Sequence, residues 1–155
     1  MKEFNDPYQL QRFLDAQDPV YDEVIAELRS GQKRSHWMWF IFPQVEGLGT
    51  SPTSRFYAIK SLAEAEGFLE HPILGARLVE CCQTLLEDPF RSAFEIFGHP
   101  DDWKLQSSMT LFSIVSPTPV PFDQVLERTF EGSRDERTIQ IVKGWMSFDH
   151  LPSAL

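Results

Sequence analysis

A chain of 155 residues with 42% hydrophobic and 13% aromatic content has the size and composition of one folded domain and lies well outside the disordered range. Its net charge of −9 argues against a binder of duplex nucleic acid, which needs a basic footprint. No apolar run reaches membrane-spanning length and the first residues lack a signal-peptide core, so a single cytoplasmic domain over 1–155 without membrane contact is expected.

The helical period recurs along the chain. Leu10, Phe13 and Leu14 share one face of a first helix, and Tyr21, Val24, Ile25 and Leu28 one face of a second. Leu74, Leu78, Cys81 and Leu85 make a third stripe, and Leu105, Met109 and Phe112 a fourth. Phe122, Val125, Leu126 and Thr129 precede a last helix with Ile139, Val142 and Trp145. Residues 147–155 read as a tail that either docks through Phe148 and Leu151 or frays. Asp6-Pro7, Asp18-Pro19 and Asp88-Pro89 place an N-cap residue before a proline, and His71-Pro72 and His99-Pro100 vary the device. Ser61 and Glu64 have capping-box spacing, while Gly31, Gly98 and Gly132 fall where helices should stop. Period-2 alternation is absent. The expected fold is an all-α, compact, multihelical domain of about seven to nine short helices.

His36-Trp37-Met38-Trp39-Phe40-Ile41-Phe42 is too short for periodicity to separate strand from helix. With no partner strands in the sequence, a short buried helix started by Ser35 is expected. Ser116 to Pro121 reads as an extended spacer between helices. Cys81 and Cys82 are adjacent on a helix, where a mutual disulfide is disfavoured. No Cys/His spacing suggests a metal site, and no cofactor fingerprint occurs; Gly47-Leu48-Gly49 is too short for one.

Charge is unevenly distributed. Between Arg29 and Lys60 five cations face one anion, leaving −13 for the rest of the chain. A locally positive strip in an acidic protein suits a small anionic ligand. Lys33, Arg34 and Arg55 are candidates to neutralise a phosphate, Trp37 and Trp39 to stack on a ring, and Gln44, Ser51 and Ser54 to donate hydrogen bonds. A second group follows Gly98. There Lys104 and Ser108, four residues apart on a helix, could together with Ser107 complete an anion site, and His36 and Asp102 are the catalytic candidates. Each part has a structural alternative: the indoles as core, Ser51 and Ser54 as caps, Asp101 and Asp102 as complements to a helix dipole.

Ser35-His36-Trp37-Met38-Trp39-Phe40-Ile41-Phe42-Pro43-Gln44, Gly47-Leu48-Gly49, Tyr57-Ala58-Ile59 and His71-Pro72-x-Leu74-Gly75-x-Arg77-Leu78 closely resemble the domain-of-unknown-function 1810 family. Ile96-Phe97-Gly98, Lys104-Leu105, Ser107 to Phe112 and Phe130-x-Gly132 extend the likeness over most of the chain. The resemblance implies a compact all-α domain, found mainly in bacteria, with no established activity. Some relatives are labelled calpastatin, which does not fit, because calpastatin-like inhibitors are disordered repeats. A fainter similarity links the order of aromatic block, acidic helix, His-Pro segment and late Trp-Lys helix to NADAR-type N-glycosidases, which act on ribosylated, phosphate-bearing substrates. Their aromatic block holds a central glutamate, whereas Trp37 to Phe42 contains no acid.

Two functions are therefore expected as alternatives. One is a pocket for an anionic nucleotide- or ribose-like ligand, with or without N-glycosidic hydrolysis. The other is a non-enzymatic module that holds a protein partner of unknown identity on an exposed aromatic face.

Overall fold

The computed structural model describes the backbone of residues 5–154 and the side chains of residues 5–146. Within these limits the chain forms ten helices and no strand. They are α1 (Gln11–Gln17), α2 (Tyr21–Ser30), α3 (Met38–Ile41), α4 (Pro52–Tyr57), α5 (Leu62–Glu70), α6 (Leu74–Leu86), α7 (Ala93–Phe97), α8 (Asp101–Val115), α9 (Phe122–Phe130) and α10 (Glu136–Ala154). The expected all-α class holds. The count is one higher than expected, with α3 and α7 little more than a turn each. The docking or fraying of Phe148 and Leu151 lies outside the described side chains. No helix among the described residues is long and apolar enough to cross a membrane.

α8 is the axis of the fold. Leu105 and every residue from Ser107 to Ser113 are buried, so this helix has almost no solvent face along its middle. It packs against α5, α7, α9 and α10, while α6 joins α2, α5 and α9 behind it. Phenylalanines knit the layers: Phe13 meets Phe68 edge-on at 5.0 Å, Phe68 meets Phe112 at 5.6 Å, and Phe112 meets Phe122 at 5.8 Å. The closest approach is at Gly75 on α6, where an added Cβ would collide with the backbone carbonyl of Leu69.

Several caps differ from expectation. α3 starts at Met38, after Trp37, and Ser35 does not cap it: the Ser35 hydroxyl bonds the carboxylates of Glu23 and Glu27 instead. Asp18 ends α1 and pairs with Arg77 rather than opening α2. Asp88 closes a turn through Phe90 N and Arg91 N, and α7 opens four residues later with a full Ser92–Glu95 capping box. Ser61 caps α5 as expected, but Glu64 reaches past it to Lys60 N and to Arg12. On α10 it is Thr138 and Val142 that are buried, with Ile139 only half-buried. Gly31, Gly98 and Gly132 do stand at helix ends with positive φ.

A buried carboxylate organises the chain between α2 and α3. Glu27 sits on the inner face of α2, and its Oε1 accepts from Arg34 N (2.8 Å), Ser35 N (3.1 Å) and the Trp37 indole Nε1 (2.9 Å). Its Oε2 accepts from the Ser35 hydroxyl at 2.6 Å. Burial alone would push this carboxyl up; the bonds from Ser35, Arg34 and Trp37 outweigh it and hold the group at about 2, against an ordinary 4.5. Because the folded value is the depressed one, the resulting stability is complete above pH 4.5 and is lost as pH falls towards 2.

Glu27→Gln is expected to cost about 3 kcal/mol, since it removes a charge that four donors are arranged to meet. Urea titrations at several pH values check this: the wild-type loss of stability between pH 4.5 and 2 should flatten in the variant. An unchanged midpoint at pH 7 would contradict the role given to Glu27. Gly75→Ala should cost ~1–3 kcal/mol through overpacking against α5, read as a fall in melting temperature, whereas an unchanged melting temperature would mean the two helices separate freely.

Candidate functional site

Once Glu27 has drawn the chain from Arg34 to Trp37 onto α2, the Trp37 ring is 1% exposed and packs against Phe42 and Phe97. The expectation that Trp37 stacks on a ligand is thereby corrected: its indole N–H is used internally and its faces are core. Met38 and Ile41 point inward from α3, leaving Trp39 and Phe40 half-buried on the other side. Gln17 fixes this arrangement by donating from its side-chain amide to Phe40 O at 2.8 Å.

Pro43 to Glu46 then runs beside Ile59. Ile59 N donates to Gln44 O and Glu46 N donates to Ile59 O, each at 2.8 Å, and Val45 bridges Ile59 in parallel. These bonds close the base of the loop that carries Gly47, Gly49 and α4. Ser51 caps α4, accepting from Ser54 N at 3.1 Å with Pro52 in the first turn. Ser51 is exposed and, unlike Ser54, lies outside the lining of the cleft and hollow that this loop borders. Gly49 lies so close to Ser54 that a Cβ would come within 2.6 Å of the serine side chain, so the loop folds flat over α4 only with glycine there.

Facing this loop is the first half of α8. Asp101 holds two cations, Lys33 at 2.8 Å and Lys104 at 3.5 Å. The Lys33 side chain is 7% exposed, and its ammonium also lies 5.1 Å from the Trp37 ring centre. Lys33 is thus an internal strut between the α2–α3 connection and α8, which corrects its assignment to a phosphate. Asp102 accepts from its neighbour Trp103 N at 2.9 Å and pairs with His99 Nδ1 at 3.0 Å. The Lys104 ammonium lies 4.8 Å from the Trp39 ring centre, so the partly exposed indole and the cation are stacked.

Between loop and helix opens a cleft of about 630 Å³. Gln44, Leu48, Gly49 and Ser54 form one wall, Pro100, Trp103, Lys104, Gln106 and Ser107 the other, and Asp135 and Arg137 at the start of α10 close the end. Arg137 donates to Gly47 O at 3.3 Å, tying α10 to the loop. Asp135 uses Oδ2 to cap α10, accepting from Thr138 N (3.0 Å) and Thr138 Oγ1 (2.6 Å). A small hollow next to the cleft shares Gln44, Gly49 and Ser54 and adds Trp39, Arg55 and Tyr57. Burial lifts the Tyr57 phenol above its ordinary value.

The structure therefore brings Gln44, Ser54 and Lys104 to one cleft and sets Trp39 and Arg55 beside it. Arg34 and His36 are exposed and lie outside its lining, as does Asp102. Ser108, expected to hold an anion, is fully buried in α8, and its hydroxyl has no hydrogen-bond partner. Trp103, Gln106 and Arg137 were not singled out from the sequence. Pro100, Trp103, Lys104 and Ser107 fall at i, i+3, i+4 and i+7 of one helix face, a spacing that carries the signal for Trp103. Arg137 lies 90 positions from its loop partner and has no such signal. Among the described residues, no group of three or more His, Cys, Asp or Glu is placed to hold a metal ion.

The family described as "Protein of unknown function (DUF1810)" matches residues 7–142. The chain belongs to this family. A crystal structure of a conserved hypothetical protein from Mycobacterium tuberculosis is similar at 48% identity, with a TM-score of 0.87, over 89% of this chain and 99% of that one. None of the curated proteins matches.

Lys33→Ala should cost ~1–3 kcal/mol, because it leaves the Asp101 carboxylate without its 2.8 Å partner, whereas His36→Ala should stay within ~0.5 kcal/mol of wild type. Chemical denaturation measures both; equal effects would contradict the strut role of Lys33.

Proposed function

We propose that the protein binds a small anionic ligand with a flat ring, of the nucleotide or ribose-phosphate kind, in the cleft between the Gln44–Ser54 loop and α8. The observation that carries the reading is the meeting of Lys104 and Arg137 in one concave site with the indole of Trp103, which is 63% exposed. Lys104 shares the Asp101 carboxylate with Lys33, and Asp135 is engaged in capping α10, so Lys33, Lys104 and Arg137 outnumber the carboxylates of Asp101 and Asp135 by one in an otherwise acidic protein. Gln44 and Ser54 supply an amide and a hydroxyl for a sugar, while the Gln106 amide donates to Ser133 O at 2.9 Å and the Ser107 hydroxyl to Trp103 O at 3.1 Å. The volume falls within the range of about 300–1,000 Å³ common to small-molecule sites.

Binding is supported further than N-glycosidic hydrolysis. Bond cleavage needs an acid or base within hydrogen-bond reach of the ligand. The two residues first considered for it, His36 and Asp102, are not in the cleft lining. A protein-contact role would draw on Phe90, 89% exposed, and Phe94 rather than on the tryptophans of the aromatic block.

A thermal-shift panel of nucleotides, ADP-ribose, nicotinamide cofactors and sugar phosphates tests the reading. A ligand at 100 times its dissociation constant adds about 2.7 kcal/mol to the native state and raises the melting temperature. The shift should shrink in Lys104→Ala and Arg137→Ala, each weakening binding about tenfold through loss of a charge-assisted bond. It should persist in His36→Ala. A shift equal in all four proteins, or none across the panel, would overturn the assignment.

A further inference from the structure

The opposite flank of α4 carries a second cleft, of about 550 Å³, lined by Pro7, Tyr8, Gln9, Arg12, Pro52, Arg55, Phe56, Lys60, Ser61 and Glu64. Its floor is a closed framework. The Arg12 guanidinium donates to Tyr8 O (2.7 Å), Gln9 O (2.9 Å), Phe56 O (2.7 Å) and Ala58 O (3.2 Å), and pairs with Glu64 at 2.7 Å. Glu64 also accepts from Lys60 N at 2.9 Å. The side chains of this pair are 9% and 4% exposed, so their charges cancel inside the structure and hold α1, α4 and α5 together.

What remains on the cleft surface is two cations and two rings. Arg55 is exposed; among the described residues it has no ion pair, and Lys60 donates only to the neutral carbonyl of Ala58, at 3.1 Å. Phe56 is 54% exposed and braced edge-on by Tyr57 at 4.8 Å, while Tyr8 is 37% exposed. Prolines 7 and 52 add rigid apolar surface. Cations without carboxylate partners among the described residues, next to large exposed rings, match a ligand that joins an anionic head to a flat apolar body.

We propose that the Tyr8–Phe56–Arg55–Lys60 cleft is a second binding site, distinct from the α8 cleft, for a small aromatic anion whose ring packs on Phe56 and Tyr8 and whose phosphate or carboxylate meets Arg55 and Lys60. The Arg55 guanidinium fork and the Lys60 ammonium can each meet the oxygens of a phosphate or a carboxylate, and the ring selects against simple inorganic anions. Arg55 also lines the hollow beside the α8 cleft, so Phe56 and Lys60 are the residues that distinguish the two sites.

The test is an amide-detected NMR titration of the full chain with phenyl phosphate, benzoate, inorganic phosphate and phenol. Phenyl phosphate or benzoate should shift the amides of Tyr8, Gln9, Phe56, Lys60 and Ser61. Phe56→Ala and Lys60→Ala, neither of which lines the α8 cleft, should each weaken binding about tenfold while leaving the melting temperature of the free protein unchanged. Shifts confined to Trp103, Lys104 and Gln106 would place the aromatic anion in the α8 cleft and overturn the second site. Inorganic phosphate binding as tightly as phenyl phosphate would overturn the ring's part in it. Insensitivity to both substitutions would overturn it altogether. Because nucleotide binding is read at Trp103 and Lys104, either reading can fail without the other.

Discussion

The Glu27 carboxylate is the constraint on which the rest of the structure depends. A lone charge on the inner face of α2 would be expensive to bury, and it is tolerated because four donors converge on it. All four come from three near-consecutive residues, Arg34, Ser35 and Trp37, so satisfying one side chain dictates the path of the connection after α2. That path delivers Trp37 to the space between Phe42 and Phe97, and the large ring then sets where α3 lies.

From α3 the consequences run outward. With Met38 and Ile41 turned in, Trp39 faces α8, and the Lys104 ammonium rests over its ring at 4.8 Å. Lys33 makes the second tie across the same gap by reaching Asp101 at the start of α8. Both walls of the cleft are thus fixed to the core by a carboxylate: one wall by the buried Glu27 and α3, the other by the half-buried Asp101 and its Lys33 partner. The acidic residues at the head of α8 complement its dipole and at the same time anchor Lys33, so a structural duty and the placing of a site share the same side chains.

Much of this architecture was legible in the sequence because helices bury stripes at a fixed spacing. The faces of α2, α6 and α9 were readable from Val24, Leu78 and Val125 and their neighbours, and α8 from Leu105, Met109 and Phe112. Glu27 was a readable anomaly: it lies three residues from Val24 and adjoins Leu28 in the buried stripe, yet its partners lie seven to ten residues on, in a segment without periodicity. Of the candidate site, Gln44, Ser54 and Lys104 were found because loops rich in small polar residues and helix faces have local signatures. Lys33 was misread because its partner Asp101 is far along the chain, and a cation whose carboxylate is distant in sequence looks free. Trp37 was misread for the same reason, since an indole N–H bound to Glu27 cannot be told from one awaiting a ligand. Arg137 closes the cleft from a helix that no local pattern connects to the Gly47 loop.

The α8 cleft, rather than the aromatic block as a whole, is the surface proposed to bind the ligand. The chain has four tryptophans, whose indole N–H signals report separately by 15N-edited NMR. Titration with ADP-ribose should move the Trp103 indole signal and, through Lys104, that of Trp39, while the Trp37 indole, bound to Glu27, stays in place. Movement of Trp37 with Trp103 unmoved would contradict the account, because it would mean that the ligand reaches the side chain the fold has enclosed.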